Sequence, residues 1–129
     1  MNFKHELNEI VEQATNGDVT ITQASCLGAS CIAEINGNFF LLIEIEIGEF
    51  ERVLIFRITA AQAARLLNAG VELCRIVNTI PTPAPGREVN LICVFVVGEE
   101  AFLVFNVEEN NTDRLVLVRV PLCTVIDLD

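Results

Sequence analysis

The chain has 129 residues, enough for one domain that buries about two thirds of its unfolded surface in a single core. It is 52% hydrophobic and carries a formal net charge of −10. Such an acidic chain repels phosphate groups, which argues against nucleic acids and anionic membranes as partners. No apolar run is long enough for a membrane-spanning helix, and the first residues lack the apolar core of a signal peptide. We therefore expect cytoplasmic synthesis, with the final location left open.

The first predicted element is a helix over residues 3–14. Its apolar side chains recur at helical spacing, at Phe3, Leu7, Ile10, Val11 and Ala14. His5, the only histidine, falls away from this stripe among glutamates, so we expect it to be solvated. Because a cysteine or serine nucleophile usually recruits a histidine base, a catalytic triad is not expected.

The cysteines are odd in number and contain no Cys-x-x-Cys pair; they are Cys26, Cys31, Cys74, Cys93 and Cys123. In a cytoplasmic protein we expect reduced thiols that pack as small hydrophobic side chains. Cys26 stands in a loop of small residues and is the candidate for an exposed thiol that cross-links two molecules. With a single histidine and no suitable cysteine spacing, no metal site and no cofactor are expected.

Residues 31–58 and 93–120 are predicted to be two copies of one β-hairpin unit, offset by 62 residues. Six of the 28 aligned positions are identical: Cys31/Cys93, Phe40/Phe102, Leu41/Leu103, Glu46/Glu108, Arg52/Arg114 and Arg57/Arg119. Most other positions exchange one apolar, strand-forming residue for another. The pattern predicts an internal pseudo-twofold repeat.

Turn residues set the expected strand register within each copy. Asn36-Gly37 is a strong signal for a tight hairpin. A three-residue loop at Gly48-Glu49-Phe50 would follow, and the same loop length is expected in the second copy. This register places a glutamate directly across from an arginine in each copy, as the structural pairs Glu46–Arg52 and Glu108–Arg114. The alternative for Arg52 and Arg114 is contact with an anion or a partner.

A second helix is predicted over residues 60–69. Thr59 and Gln62 form a capping box at its start, and Gly70 ends it. The elements that follow are a strand over 71–78 and an extended linker over 80–86, whose three prolines exclude a central strand.

The predicted fold is mainly β: an antiparallel β-sandwich or barrel-like domain with two short helices. Several strands are apolar on both faces, so both faces need cover. One face would form the core, with Ile43, Ile45, Val53, Ile55, Phe105, Val107, Leu115 and Leu117. The other face would present a possible oligomer surface formed by Leu42, Phe56, Val104 and Val118. Two short helices cannot cover all of it, which predicts an oligomer.

Paired carboxylates are the remaining candidates for chemistry; they are Glu44/Glu46, Glu99/Glu100 and Glu108/Glu109. General acid catalysis needs one carboxyl group of a pair to be buried. These pairs lie beside turns or on the charged side of strands, so we expect solvated side chains and no catalytic residue. The oxygen-rich segment 108–113 lacks the spacing and glycine of a calcium loop, which favours a polar hairpin turn.

The sequence therefore favours a non-enzymatic, self-associating structural protein, bacterial in style, whose apolar β surfaces build an oligomer or an extended assembly. Its partner would be another copy of itself, or another protein strand. The alternative is a binding or adaptor module that holds a small apolar ligand or a peptide strand between its repeats. An enzyme is the least favoured class.

Overall fold

The computed structural model describes residues 27–47 and 50–121, which form eight strands and one helix. The protein is mainly β, as predicted, with two four-stranded sheets. The chain divides into two compact units, the first ending at Leu73 and the second beginning at Cys74. The predicted helix over 3–14, with His5, lies outside the described residues.

The first unit contains a three-stranded antiparallel meander, followed by a helix and a short strand. Its elements are β1 (Leu27–Ile35), β2 (Asn38–Ile47), β3 (Phe50–Ile58), α1 (Ala60–Asn68) and β4 (Glu72–Leu73). The sheet order is β3-β2-β1-β4, and β4 runs parallel to β1. The meander thus gains its fourth strand on the β1 side.

The first hairpin forms at the predicted turn. Asn36 and Gly37 both have positive φ, 54° and 79°, and Ile35 pairs with Asn38 across them. Positive φ at both central residues is the backbone of the tight turns that match the twist of two paired strands. Asn36-Gly37 therefore sets the register between β1 and β2.

The second turn is shorter than predicted, and this moves the β2–β3 register by one residue. Ile47 pairs with Phe50, so only residues 48 and 49 lie between the strands, not the three residues expected. Arg52 consequently lies opposite Ile45, while Glu46 lies opposite Glu51. The prediction that Glu46 faces Arg52 is wrong, because Phe50 belongs to the strand.

Helix α1 begins at the predicted residue, Ala60, and ends at Asn68, one residue before the predicted end. The Thr59 hydroxyl accepts from the Gln62 amide at 3.1 Å, and the Gln62 side chain accepts from the Thr59 amide at 2.9 Å. At the other end Gly70 has φ +108°, while the Val71 amide bonds back to the Leu66 carbonyl at 3.0 Å. These bonds satisfy polar groups that a helix end otherwise leaves open.

One face of the first sheet packs with the helix to form the core of this unit. The buried cluster comprises Ile32, Leu41, Ile43, Ile58, Ala63, Leu66 and Val71. Ala63 and Leu66 belong to α1, and the other members come from β1, β2, β3 and the segment after the helix. Burial of a large aliphatic side chain contributes about 1.5–3 kcal/mol.

The second unit contains a second meander with a short fourth strand on the opposite side. Its elements are β5 (Arg75–Val77), β6 (Arg87–Val97), β7 (Glu100–Glu109) and β8 (Thr112–Val120), in the order β5-β8-β7-β6. β5 runs parallel to β8. The strand predicted over 71–78 is thus two short strands, one in each unit. No strand spans the proline-rich residues 80–86, as expected.

The two meanders have equivalent strand pairing at the offset of 62 residues. Ile32 pairs with Leu41, and the equivalent Val94 pairs with Leu103. The same shift relates all nine pairs between β2 and β3 to the pairs between β7 and β8. Asn110 and Asn111, both with positive φ, form the turn that corresponds to residues 48 and 49. The error of one residue in the predicted register therefore occurs in both copies.

Both faces of strand β7 are buried. The six successive residues from Ala101 to Asn106 are all buried, and so are the four from Leu115 to Val118 in β8. Successive residues of a strand point to opposite faces, so the burial includes both sides of the second sheet. One side carries the cluster of Leu103, Phe105 and Val118, with Val77, Val89, Val107 and Val120 packed around it.

Candidate interaction sites

The predicted oligomer surface is not present. Leu42, Val104 and Val118 are fully buried within a single chain, and Phe56 is half-buried against the core of the first unit. Phe56 pairs with Leu41 and so shares a face with it, opposite to Leu42. The position of Phe56 follows from the register, because a slip of one residue moves every side chain of a strand to the other face. Leu42 and Val104 are buried because both faces of β2 and β7 are covered.

The second predicted glutamate–arginine pair is also wrong. Glu108 lies opposite Asp113, and Arg114 lies opposite Val107. The ion pairs of this unit join other strands instead. Arg87 Nε lies 2.8 Å from Glu109 Oε2, and Arg119 Nε lies 3.4 Å from Glu100 Oε1. Arg52 and Arg114 are exposed at equivalent positions of their units.

The described cysteines do not share one state. Cys31 and Cys74 are each disulfide-bonded, so the expectation of reduced thiols is wrong for both. Cys93 is free and half-buried on β6, and burial raises the pKa of its thiol. A raised pKa leaves little reactive thiolate at neutral pH. Cys26, the candidate cross-linking thiol, lies outside the described residues.

Two polar side chains are buried at equivalent positions of the two meanders. Glu44 and Asn106 are separated by 62 residues and are the two buried polar residues of the described chain. The solvated state expected for Glu44 is therefore wrong, whereas Glu99, Glu108 and Glu109 are exposed. Within residues 27–47 and 50–121, every buried side-chain polar atom has a hydrogen-bond partner. Glu44 and Asn106 are thus satisfied parts of the interior.

The described residues form no metal-binding cluster. No group of three or more histidine, cysteine, aspartate or glutamate side chains could hold an ion there. The oxygen-rich segment 108–113 is the end of one hairpin, closed by the two-residue turn at Asn110 and Asn111. Its side chains are exposed.

Strand β6 is the longest edge strand among the described strands, and most of it carries no charge. β4 has two residues and β5 has three, so these edges are short. β3 carries three charged residues, Glu51, Arg52 and Arg57. β6 has 11 residues and no charge from Val89 to Val97. Natural sheet edges are commonly kept from pairing with other chains by shortness or charge, and the open part of β6 has neither protection.

The exposed side chains of β6 form an apolar row. Leu91, Val94 and Val96 are 51%, 41% and 48% exposed. They pair with Phe105, Leu103 and Ala101 respectively, which places all three on one face of the sheet. Sequence reasoning identified this run as apolar on both faces but did not identify it as an edge. The signal was the absence of any charged residue between Glu88 and Glu99.

A groove of about 270 Å³ lies at one end of the same sheet face. Its lining includes three of the seven arginines of the chain, Arg75, Arg87 and Arg114, together with Glu109. The apolar lining comes from Val77, Val107, Val116, Ile80 and Pro81, and Thr79 and Thr82 complete it. The groove therefore combines an apolar surface with a local excess of positive charge.

No protein-family model, curated protein or solved structure matches the chain. No helix of the described residues is long and apolar enough to cross a membrane. Any functional assignment therefore depends on the geometry of the edge strand and the groove.

Proposed function

We propose that this protein is a non-enzymatic structural protein that self-associates, and that strand β6 is the contact between copies. The observation that carries this proposal is the apolar row of Leu91, Val94 and Val96 on an 11-residue edge strand. An exposed, long, hydrophobic edge with unpaired backbone groups is a template for pairing with another chain.

Pairing between two β6 strands explains how the contact would be specific. Two antiparallel β6 strands related by a twofold axis would join two four-stranded sheets into one sheet of eight strands. Backbone hydrogen bonds would provide affinity, and the exposed valines would pack across the junction. Because a twofold contact is closed, this contact alone builds a dimer. A larger assembly requires a second contact.

The charge of the chain gives the proposal a salt dependence. Each copy carries a formal net charge of −10, so two copies repel each other at long range. Salt screens this repulsion, with a Debye length of about 10 Å at 0.1 M. The β6 contact itself has no charged residue between Val89 and Val97, so salt removes no attraction from it. Association is therefore expected to strengthen as salt concentration rises.

Sedimentation velocity at micromolar concentration tests this function, without reductant so that the disulfide bonds of Cys31 and Cys74 stay intact. The wild-type chain should sediment above its monomer mass of 14.2 kDa, and more so at high salt. Val94→Lys and Val96→Lys should return it to the monomer, since a lysine on an edge opposes strand pairing. Leu67→Lys is the matched control, because Leu67 is also exposed but lies on α1, and it should leave association unchanged.

A hydrogen-exchange measurement separates strand pairing from other modes of association. Backbone amides of residues 91–97 should become better protected as protein concentration rises, while the exchange of α1 should not change. A monomer at low and high salt would remove the self-association proposal. Association that survives both lysine substitutions in β6 would remove the proposed contact.

The second candidate function is a binding module for a small ligand. The groove lined by Arg75, Arg87 and Arg114 favours it. This groove lies within the second unit. Its positive charge and its apolar lining favour a small ligand that has both an anionic group and an apolar part.

A further inference from the structure

We propose that the groove of the second unit binds a small amphipathic monocarboxylate, with the carboxylate between Arg75 and Arg114 and the aliphatic chain along the valines. This inference rests on the binding-module candidate and is independent of self-association. The proposal also assigns Arg114 a contact with an anion, which was the alternative to its predicted pairing with Glu108.

The strand register brings the two arginines to one ligand-sized area. Arg75 pairs with Val116 on the neighbouring strand, and Arg114 lies two residues before Val116. Arg75 and Arg114 are therefore diagonal neighbours on one face, and the strand spacing and rise per residue put their Cα atoms about 8 Å apart, within reach of long side chains. A guanidinium group donates two parallel hydrogen bonds to a carboxylate, so this spacing suits one anion held from two sides.

Both arginines are exposed in the part of the chain that the structure describes. Among the described residues, no side-chain ion pair or hydrogen bond engages Arg75 or Arg114. Arg87, the third arginine of the groove, already binds Glu109 at 2.8 Å. The groove thus keeps a net charge of +2 (three arginines less one glutamate) on a chain of net charge −10.

Strand alternation places the other neighbouring carboxylates of β6, β7 and β8 on the face opposite to the groove. Glu108 and Asp113 pair with each other, next to Val107–Arg114, and so point to the opposite face of the sheet. Glu88 pairs with Glu108 and lies on that opposite face as well. The groove face is consequently positive, although its strands contain more acidic than basic residues at this end.

The apolar lining favours a ligand that has a hydrocarbon part as well as a negative charge. Val77, Val107 and Val116 come from three neighbouring strands, and Ile80 and Pro81 form a wall from the segment after β5. Inorganic phosphate would leave this lining exposed, whereas an uncharged hydrocarbon would leave both arginines without a counter-charge. The volume of about 270 Å³ lies near the lower limit for ligand pockets, which are about 300–1,000 Å³, so the ligand is small.

Calorimetric titration with octanoate tests the proposal, with acetate, octanol and inorganic phosphate as comparison probes. Octanoate should bind at least tenfold more tightly than each of the other three. Arg75→Gln and Arg114→Gln should each weaken octanoate binding at least tenfold. Arg52→Gln is the matched control, because Arg52 is exposed at the equivalent position of the first unit, and it should leave binding unchanged.

Nuclear magnetic resonance locates the site. Octanoate should shift the signals of Val77, Val107 and Val116, and it should do so equally in the Val94→Lys variant, where self-association is expected to be lost. Loss of self-association with binding retained would affect only the proposed function. No octanoate binding at millimolar concentration, binding indifferent to both arginine substitutions, or equal binding of phosphate would each overturn the groove proposal.

Discussion

The two meanders share one pattern of strand pairing but differ in what lies beside and above the equivalent strands. Ile32 of β1 and Val94 of β6 occupy equivalent places, yet Ile32 is 0% exposed and Val94 is 41% exposed. Ile32 belongs to the cluster that includes Ala63 and Leu66 of α1, and its strand is also paired with β4. β6 is an edge strand, and the described part of the second unit contains no helix.

This difference shows that the role of a strand is decided by elements outside the meander. The residue types differ in the same sense two positions further along each strand. Glu34 of β1 and Val96 of β6 are equivalent, and both are exposed. A charge stands at the exposed place in the first unit, whereas an apolar residue stands there in the second. The apolar residue of this face is therefore buried in the first strand of the first meander, whereas the first strand of the second meander is an edge strand with exposed apolar side chains.

The largest expected effect comes from placing a lysine at the two equivalent positions. Ile32→Lys puts an unpaired charge into a core and should cost several kcal/mol, comparable with the total stability of a domain, about 5–15 kcal/mol. Val94→Lys should change the free energy of unfolding of the monomer by less than about 1 kcal/mol, since its side chain reaches water. Denaturant unfolding followed by circular dichroism measures both. Equal losses would show that the two units are not different in this way.

The apolar cluster of the second unit should be as sensitive to truncation as a core. Phe105 is buried in it, so Phe105→Ala should lower the free energy of unfolding by about 3–5 kcal/mol. Val96→Ala, on the exposed part of the same face, is the comparison and should cost less than about 1 kcal/mol. A loss below about 1 kcal/mol for Phe105→Ala would place this face of the second sheet on the surface.

The equivalent buried polar residues offer a finer test. Asn106 is buried and hydrogen-bonded, so Asn106→Ala removes a hydrogen bond of the interior and should cost about 1 kcal/mol or more. Asn90 pairs with Asn106 but is exposed, and Asn90→Ala should cost less than about 0.5 kcal/mol. The two variants are compared by thermal unfolding. An unchanged midpoint for Asn106→Ala would mean that its polar group has no structural role.

The helix that distinguishes the first unit depends in part on its cap. Thr59→Ala removes the acceptor of the Gln62 amide and should cost about 1 kcal/mol. Thr112→Ala, at an exposed threonine of β8, serves as the control and should have a smaller effect. If α1 covers the first sheet as described, amides of Ile32 and Leu41 should also exchange faster in Thr59→Ala, whereas those of β7 should not. Faster exchange in β7 alone would contradict this.

The smallest effect concerns the equivalent cysteines, Cys31 and Cys93. Burial raises the pKa of Cys93, so iodoacetamide should label its peptide more slowly in the folded chain than in urea at the same pH. The neutral thiol is favoured in the folded state, so its contribution to stability is complete below the ordinary thiol pKa of about 8.5 and is lost as pH rises through the folded-state pKa.

Mass spectrometry of the digested protein measures the labelling between pH 7 and 10. The Cys31 peptide should remain unlabelled without reductant, because Cys31 is disulfide-bonded. Cys93 labelling as fast as in the unfolded chain at neutral pH would show that β6 does not shield its thiol.

Local signals in the sequence predicted the first hairpin turn and the helix α1. Asn36-Gly37 forms the tight turn, and Thr59, Gln62 and Gly70 bound the helix. These features depend on interactions within a few residues, such as positive φ at a turn or a side chain bonded to a nearby amide. For the same reason the proline-rich linker was correctly excluded from the sheets.

Local sequence patterns could not predict the strand register or the candidate sites. In β2, apolar residues occupy both faces at Leu41, Leu42 and Ile43, so period-two alternation fits two registers equally well. The length of the second turn decided between them, and it depended on whether Phe50 joined the strand. The expected oligomer surface fails for two reasons: the register places Phe56 on the other face from Leu42, and both faces of β2 and β7 are buried.

The sequence by itself determined a mainly β protein, the hairpin turn at Asn36-Gly37 and the capped helix, and it contains the offset of 62 residues that also relates the strand pairing of the two meanders. Only the tertiary structure decided that β6 is an edge, that Glu44 and Asn106 are buried, and that Arg75 and Arg114 share a groove. These properties join residues far apart in the chain, on strands whose neighbours are set by the order β5-β8-β7-β6. Periodicity records which way a side chain points, but which strand or solvent it meets depends on the assembled sheet.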